Sequence, residues 1–227
     1  MTVFSIANYR HTSASGRLFQ QDEALDEYRG ALLQPFFDES SDGLTICLGR
    51  EMEGAVCVVR NGPLISVHLC QQSTRALIAF FNHFSEATEF VGAAYRDLIS
   101  LPINWPDTAD AFRTLQASGA IPRQTVATDD HLDLERYSFP QRNDAEEAVM
   151  FKRAEHFFLS QPCAEDLSFG GPQDEHTCIE RDGDFWVIYG SERGGRNFVA
   201  MFPLLRTALD YLAQRALKIA RFPDLEE

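Results

Sequence analysis

Between Asp182 and Phe202 the chain reads DGDFWVIYGSERGGRNFVAMF. Two strongly apolar runs, FWVIY and NFVAMF, flank a polar stretch that carries Glu192, Arg193, Gly194, Gly195 and Arg196. Short apolar runs around a glycine-bearing polar segment predict two strands joined by a tight turn, because glycine supplies the positive φ that such turns need. Upstream, the RDGD segment at Arg181–Asp184 predicts a second turn and a preceding strand from Thr177. Downstream, Leu205, Leu209, Leu212 and Ala216 recur at spacings of four, three and four, the core-facing stripe of a helix. The C-terminal unit therefore reads strand, strand, strand, helix.

The same order is legible nearer the N-terminus. LTICLGR (Leu44–Arg50), GAVCVVR (Gly54–Arg60) and LISVHLC (Leu64–Cys70) read as three strands, the last two joined by Asn61-Gly62-Pro63. Ser73 is placed to cap a helix with the stripe Ala76, Leu77, Phe80, Phe81 and Phe84. A second stripe, Phe90, Val91, Ala94, Tyr95 and Leu98, stops before Pro102 and Pro106. STRALIAFF and LRTALDYLA look alike at the predicted helix starts, so Leu44–Phe84 and Thr177–Leu217 read as two related halves.

Around these halves, a helix is expected over Asp22–Phe37 with Leu25, Tyr28 and Leu32 on one face. Another opens at Asp107, carries Phe112 and Leu115, and closes at Gly119. Asp144 and Glu147 have capping-box spacing ahead of a helix with Met150, Phe151, Ala154, Phe157 and Phe158. Val3–Ala7 reads as a short leading strand, and residues 120–142 are the least patterned. The expected fold is α+β, antiparallel sheets with packed helices, in two sub-domains spanning residues 1–125 and 126–227.

The chain has 227 residues, 34 acids against 20 Lys and Arg, and a net charge of −14. Such a surface repels phosphate backbones and anionic membranes and favours basic partners, although acidity also serves solubility alone. Eighteen phenylalanines supply ample core. No apolar run reaches the roughly 20 residues that span a bilayer, and the first residues lack signal-peptide character, so a cytoplasmic location is expected. The odd set of five cysteines (Cys47, Cys57, Cys70, Cys163 and Cys178) has apolar neighbours and no C-x-x-C, which suggests buried reduced thiols.

Catalytic motifs are not recognisable. There is no G-x-S-x-G, no phosphate loop and no H-E-x-x-H. Cys70 and His68 share a strand, where neighbouring apolar residues make a core thiol and a partly buried imidazole the simpler reading than a nucleophile and its base. Asp129, Asp130, His131, Asp133 and Glu135 gather in DDHLDLE without EF-hand spacing, so a solvated or partner-facing acidic loop is expected there. Neither a cofactor nor a metal site is expected.

The segment Glu180–Leu217 resembles the C-terminal strand–strand–strand–helix unit of immunity proteins from bacterial polymorphic-toxin systems. The matching residues are Asp182, Gly183, Trp186, Ile188, Tyr189, Ser191, Glu192, Arg193, Gly194 and Arg196; Gly195 and Pro203 depart from the pattern. The resemblance implies a non-catalytic protein that binds and occludes the active site of one cognate toxin, such as a basic nuclease, encoded by a neighbouring gene. Asp182, Asp184, Glu192, Arg193, Arg196, Asp129, Asp130 and Asp133 are the candidate partner contacts. Read as plain hairpin chemistry, Glu192 and Arg196 pair with each other across the turn. The alternative function is a small hydrolase or transferase whose site no motif marks.

Overall fold

The computed structural model of the chain describes residues 8–9, 19–38, 44–72, 74–97, 108–119 and 132–225. The first half consists of α1 (Phe19–Asp38), β1 (Thr45–Leu48), β2 (Ala55–Asn61), β3 (Leu64–Gln71), β4 (Thr74–Phe81) and α2 (Phe84–Arg96). After α3 (Thr108–Ala117) comes the second half. It comprises α4 (Asp144–Leu159), a 3₁₀ turn, β5 (Leu167–Phe169), β6 (Thr177–Asp182), β7 (Phe185–Glu192), β8 (Gly195–Phe202) and α5 (Leu205–Leu217).

The strands form one sheet in the order β1-β2-β3-β4-β8-β7-β6-β5. The order is a palindrome. Each half contributes an antiparallel meander with a parallel strand at its outer edge, and the halves meet where β4 pairs antiparallel with β8. The α+β class is as read from the sequence, but the expected antiparallel sheets are a single mixed sheet. The boundary expected between residues 125 and 126 lies outside the described residues, as do the Val3–Ala7 strand and Ser73.

Equivalent positions in the halves stand 121 residues apart throughout, as the backbone shows. Positive φ recurs at Gly49 and Gly170, Gly54 and Glu175, Gly62 and Gly183, Gln72 and Arg193, and Asp97 and Lys218. The pairing slips between Val67 and His68 in β3 and again between Ile188 and Tyr189 in β7. The Gly54 N–H to Cys70 carbonyl bond of 2.8 Å recurs as Glu175 to Ser191 at 2.8 Å. Two chain segments with the same turns, the same bulge and no insertion between them have the form of a tandem duplication. Each copy is helix, four strands, helix, rather than the three strands and a helix read from the sequence.

The fourth strand is where the sequence reading fails. Residues 74–81 are β4, not a helix, and α2 begins only at Phe84. The bulge explains the misreading. Val67 pairs with Ala79 and His68 with Leu77, so Ile78 is an extra residue. Leu77 and Phe80, three apart, consequently face the same way and join the same buried cluster, which imitates helical spacing inside a strand. The similarity of STRALIAFF to LRTALDYLA is accordingly not the repeat. TRALIAFF corresponds to GRNFVAMF, where Phe198 and Met201 repeat the spacing.

Helices α1, α2, α4 and α5 all pack on one face of the sheet. Leu33 and Phe37 of α1 turn inward with Leu25, whereas Leu32, expected on the buried face, is 43% exposed. Where the halves meet, Phe81 and Phe90 of the first face Phe202 and Tyr211 of the second, all six ring pairs having centroids 5.3–6.1 Å apart. The opposite face, free of α-helices among the described residues, is closed instead by Tyr9, Leu132 and Tyr137, which lie outside the duplicated units.

The expected capping box is also rearranged. Asn143 caps α4 through its side chain, which accepts from Ala145 and Glu146 N–H. Glu147 turns into the core, where it accepts from the Trp186 indole N–H at 3.0 Å and the Leu205 amide at 2.8 Å. One buried carboxylate thus ties α4 to β7 and to the first turn of α5, where the helix dipole favours negative charge. Glu147→Ala leaves both donors unsatisfied in the interior. Urea denaturation is expected to show a loss of roughly 2–4 kcal/mol, against less than about 0.5 kcal/mol for the exposed Glu146→Ala.

Candidate functional site

The β7–β8 hairpin tip is a two-residue turn. Arg193 and Gly194 both have positive φ, at 49° and 72°, as a type I′ turn requires. Asp174 pins it, its Oδ1 accepting the Arg193 amide at 2.6 Å. The register pairs Ser191 with Arg196 and Glu192 with Gly195, so Arg196 and Glu192 lie on opposite faces. The cross-turn pair expected between them does not form. Arg193 is instead splayed into solvent, its side chain 90% exposed, with Glu192 Oε1 at 3.9 Å.

Arg196 points across the helix-free face. Its Nη1 meets Glu180 Oε1 at 2.5 Å, and its guanidinium lies over the rings of Tyr189 and Tyr9 at 5.1 and 5.8 Å. Tyr9 donates its hydroxyl to Asp182 Oδ2 at 2.9 Å. Burial raises the pKa of both tyrosines well above the ordinary phenol value, the Asp182 carboxylate adding to the effect at Tyr9. At the far end of the hairpin Arg142 Nη2 reaches Asp184 Oδ1 at 3.0 Å. Asp133 is exposed, its backbone carbonyl accepting from Asn61 Nδ2 at 3.0 Å. The structure thus brings Asp182 and Arg196 together, leaves Arg193 and Glu192 at the tip, and separates Asp184 and Asp133 from both. Asp129 and Asp130 lie outside the described residues.

The corresponding place in the first half holds a different chemistry. Arg75, the counterpart of Arg196, grips Glu51 through two bonds, Nε to Oε1 at 2.8 Å and Nη2 to Oε2 at 2.6 Å. Arg136 adds a third at 3.1 Å. The Arg75 contact leads in holding the Glu51 carboxyl below its ordinary pKa. Beneath this lid lie Cys57, His68 and Cys70, all buried. His68 is 0% exposed, more deeply placed than the sequence suggested. Its burial pushes its pKa down to about 4, so the ring is neutral at pH 7 and its Nε2, 3.5 Å from Glu51 Oε1, forms no ion pair. Burial likewise pushes the Cys57 thiol up to about 12. Cys57 and His68 are therefore not an activated thiolate with its base.

All five cysteines are free thiols. Cys57, His68 and Cys70 bring three donor atoms within 4.8 Å of one another, and they are the group among the described residues able to hold a metal ion. Sequence reading considered His68 and Cys70 but missed Cys57, which joins them only because it pairs with His68 across β2 and β3. It also missed Tyr9, Glu180 and Glu51. The visible signal was the 121-residue offset, which aligns Cys57 with Cys178 and Arg75 with Arg196.

The two arginines of the hairpin are separable by stability. Arg196→Ala strands Glu180, whose side chain is only 15% exposed, and uncovers two rings. It is expected to cost about 1–2 kcal/mol in urea unfolding, whereas Arg193→Ala changes less than about 0.5 kcal/mol. Comparison of the chain with protein-family models, with curated proteins and with solved structures found no match.

Proposed function

We propose that the chain is a bacterial immunity protein that acts in the cytoplasm, binding one cognate toxin without covalent chemistry and covering its active site. The observation that carries this reading is the pinned hairpin tip. A type I′ turn fixed by Asp174 holds Arg193 90% exposed beside Glu192, ahead of any partner. Arginine is enriched at interface hot spots, and a turn whose backbone is already fixed loses less entropy on binding than a mobile loop.

The charge supports the same reading. A net charge of −14 accelerates encounter with a basic enzyme and disfavours nucleic acid as the direct ligand. Asp182 and Arg196 serve the reading indirectly, since they hold Tyr9 and the strands behind the tip in place. Asp184, Glu192, Arg193 and Asp133 are the described candidates that face solvent.

Co-expression with the product of an adjacent gene tests the proposal. The expected result is rescue of a host poisoned by that product, with co-purification as a stoichiometric complex. Arg193→Ala should then raise Kd by about tenfold or more, equivalent to about 1.4 kcal/mol, with folding unchanged. Added salt should slow association more than it speeds dissociation. The absence of both rescue and a complex with every adjacent product would refute the reading.

A further inference from the structure

We infer that Cys57, His68 and Cys70 form a binding site for a thiophilic divalent cation of the zinc type, under the Glu51–Arg75 lid of the first half. The three donor atoms are the ones such an ion selects, two sulfurs and an imidazole nitrogen. Two thiolates bound at about 2.3 Å in a tetrahedron stand about 3.8 Å apart. The Cys57 and Cys70 Sγ atoms are 3.7 Å apart.

The imidazole is turned for the task. The Ser66 hydroxyl has one hydrogen, which it gives to the Val59 carbonyl at 3.0 Å. With that hydrogen on Val59, the 3.2 Å contact with His68 Nδ1 suits the tautomer in which Nδ1–H donates. This serine plays the outer part that orients a metal-binding histidine, leaving Nε2 as the ligand atom. His68 Nε2 is buried and has no hydrogen-bond partner among the described residues. A buried nitrogen of this kind is costly unless something accepts its lone pair, and a cation does.

A route to the site is also present. A cleft of about 260 Å³, lined by Glu51, Met52, Glu53, Cys70, Thr74 and Arg75, leads from solvent to the Cys70 side. Glu53 adds a carboxylate to its wall, while Glu51 is taken up by Arg75 and Arg136. Binding displaces the proton that each thiol carries and supplies the charge that makes two buried thiolates tolerable.

The second half is the internal control. At the equivalent positions it carries Cys178, Tyr189 and Ser191, on the same strands with the same bulge. The fold of the unit therefore does not demand two thiols and an imidazole here. The ligand set belongs to the first half alone, and the site is distinct from the hairpin tip of the second.

Cobalt(II) titration of the reduced full-length protein tests the inference, with metal analysis of the protein as purified. The expected result is one equivalent of Co²⁺ bound, with intense tetrahedral d–d bands and thiolate-to-cobalt charge transfer, all displaced by Zn²⁺. His68→Tyr with Cys70→Ser copies the second half's own residues, so it should fold. Its Co²⁺ affinity should drop roughly 100-fold or more, while Cys163→Ser leaves binding unchanged. Circular dichroism reports whether the double variant folds. If it does not, the wild-type spectrum decides by its intensity, because charge-transfer absorption scales with the number of thiolates bound and Cys57 with Cys70 is the thiol pair of the metal-holding group among the described residues. A wild-type protein without them, affinity unchanged in a folded double variant, or a Cys57–Cys70 disulfide in place of metal would each overturn the site.

Discussion

Four aromatic rings hold the two halves together. β4 and β8 share only two residue pairs, Phe80 with Met201 and Phe81 with Ala200, too short a ladder to join two sheets. What closes the junction is burial. Phe81, Phe90, Phe202 and Tyr211 meet on the helix face, each ring touching the other three. The contacts obey the repeat. Phe81 with Tyr211 and Phe202 with Phe90 are the same contact viewed from each half, at 5.3 and 5.8 Å. Large rings offset edge to face gain both apolar burial and favourable quadrupole geometry, so a narrow strand contact suffices. Neither half could leave this cluster without exposing its most apolar surface, which is why one sheet forms rather than two.

Duplication fixed the backbone and left the side chains to diverge. On the helix face the positions stay largely apolar, with Ala79 and Ala200, Phe81 and Phe202, and Ala87 and Ala208 identical, although Ile65 corresponds to Trp186 and Leu33 to Ala154. The opposite face has diverged in chemistry. Arg75 and Arg196 keep one position, yet their carboxylate partners come from different ones. Glu51 precedes β2, while Glu180 lies within β6, and their counterparts are Pro172 and Val59. An arginine needs only some carboxylate within reach, so either origin satisfies it. The same latitude lets Cys, His and Cys stand where the other half has Cys, Tyr and Ser.

The sequence yields α4, β6, β7, β8 and α5 of the second half, because turn residues mark those three strands and Leu205, Leu209 and Leu212 mark α5, but it does not yield the three-residue β5. It yields the first half less well. Thr74–Phe81 carries no polar alternation, being buried on both faces, and the bulge at Ile78 converts a period of two into a spacing of three. A repeat register taken through β4 and β8 instead of through the helix would have corrected this, since Arg75, Ala79 and Phe81 align with Arg196, Ala200 and Phe202. The sites were harder to see. Arg196 was singled out, but its partners Glu180 and Tyr9 are 16 and 187 residues away in sequence, Tyr9 alone in an otherwise unpatterned segment. Glu147 looked like a local cap, because sequence spacing cannot reveal a carboxylate aimed at Trp186.

What covers the helix-free face bears on how such a scaffold acquires function. Each copy brings two helices for one face of its strands and nothing for the other. That second face is closed by residues from outside the copies. Tyr137 stands edge-on to His68 and Phe80 in the first half, and Tyr9 to Tyr189 and Phe198 in the second. The linker is held down by backbone bonds, Ser138 to Arg75 at 2.8 Å and Leu77 to Ser138 at 3.0 Å, which use the part of β4 that β8 does not reach. The deepest polar groups on this face, such as His68 and Ser66, are thereby shut away from bulk water, where hydrogen bonds gain strength and unpaired atoms become costly. The constraint explains the division of labour between the halves. Arg196 and His68 are tied by bonds inside the molecule, to Glu180 and Ser66, whereas the hairpin tip projects past the cover with Arg193 90% exposed.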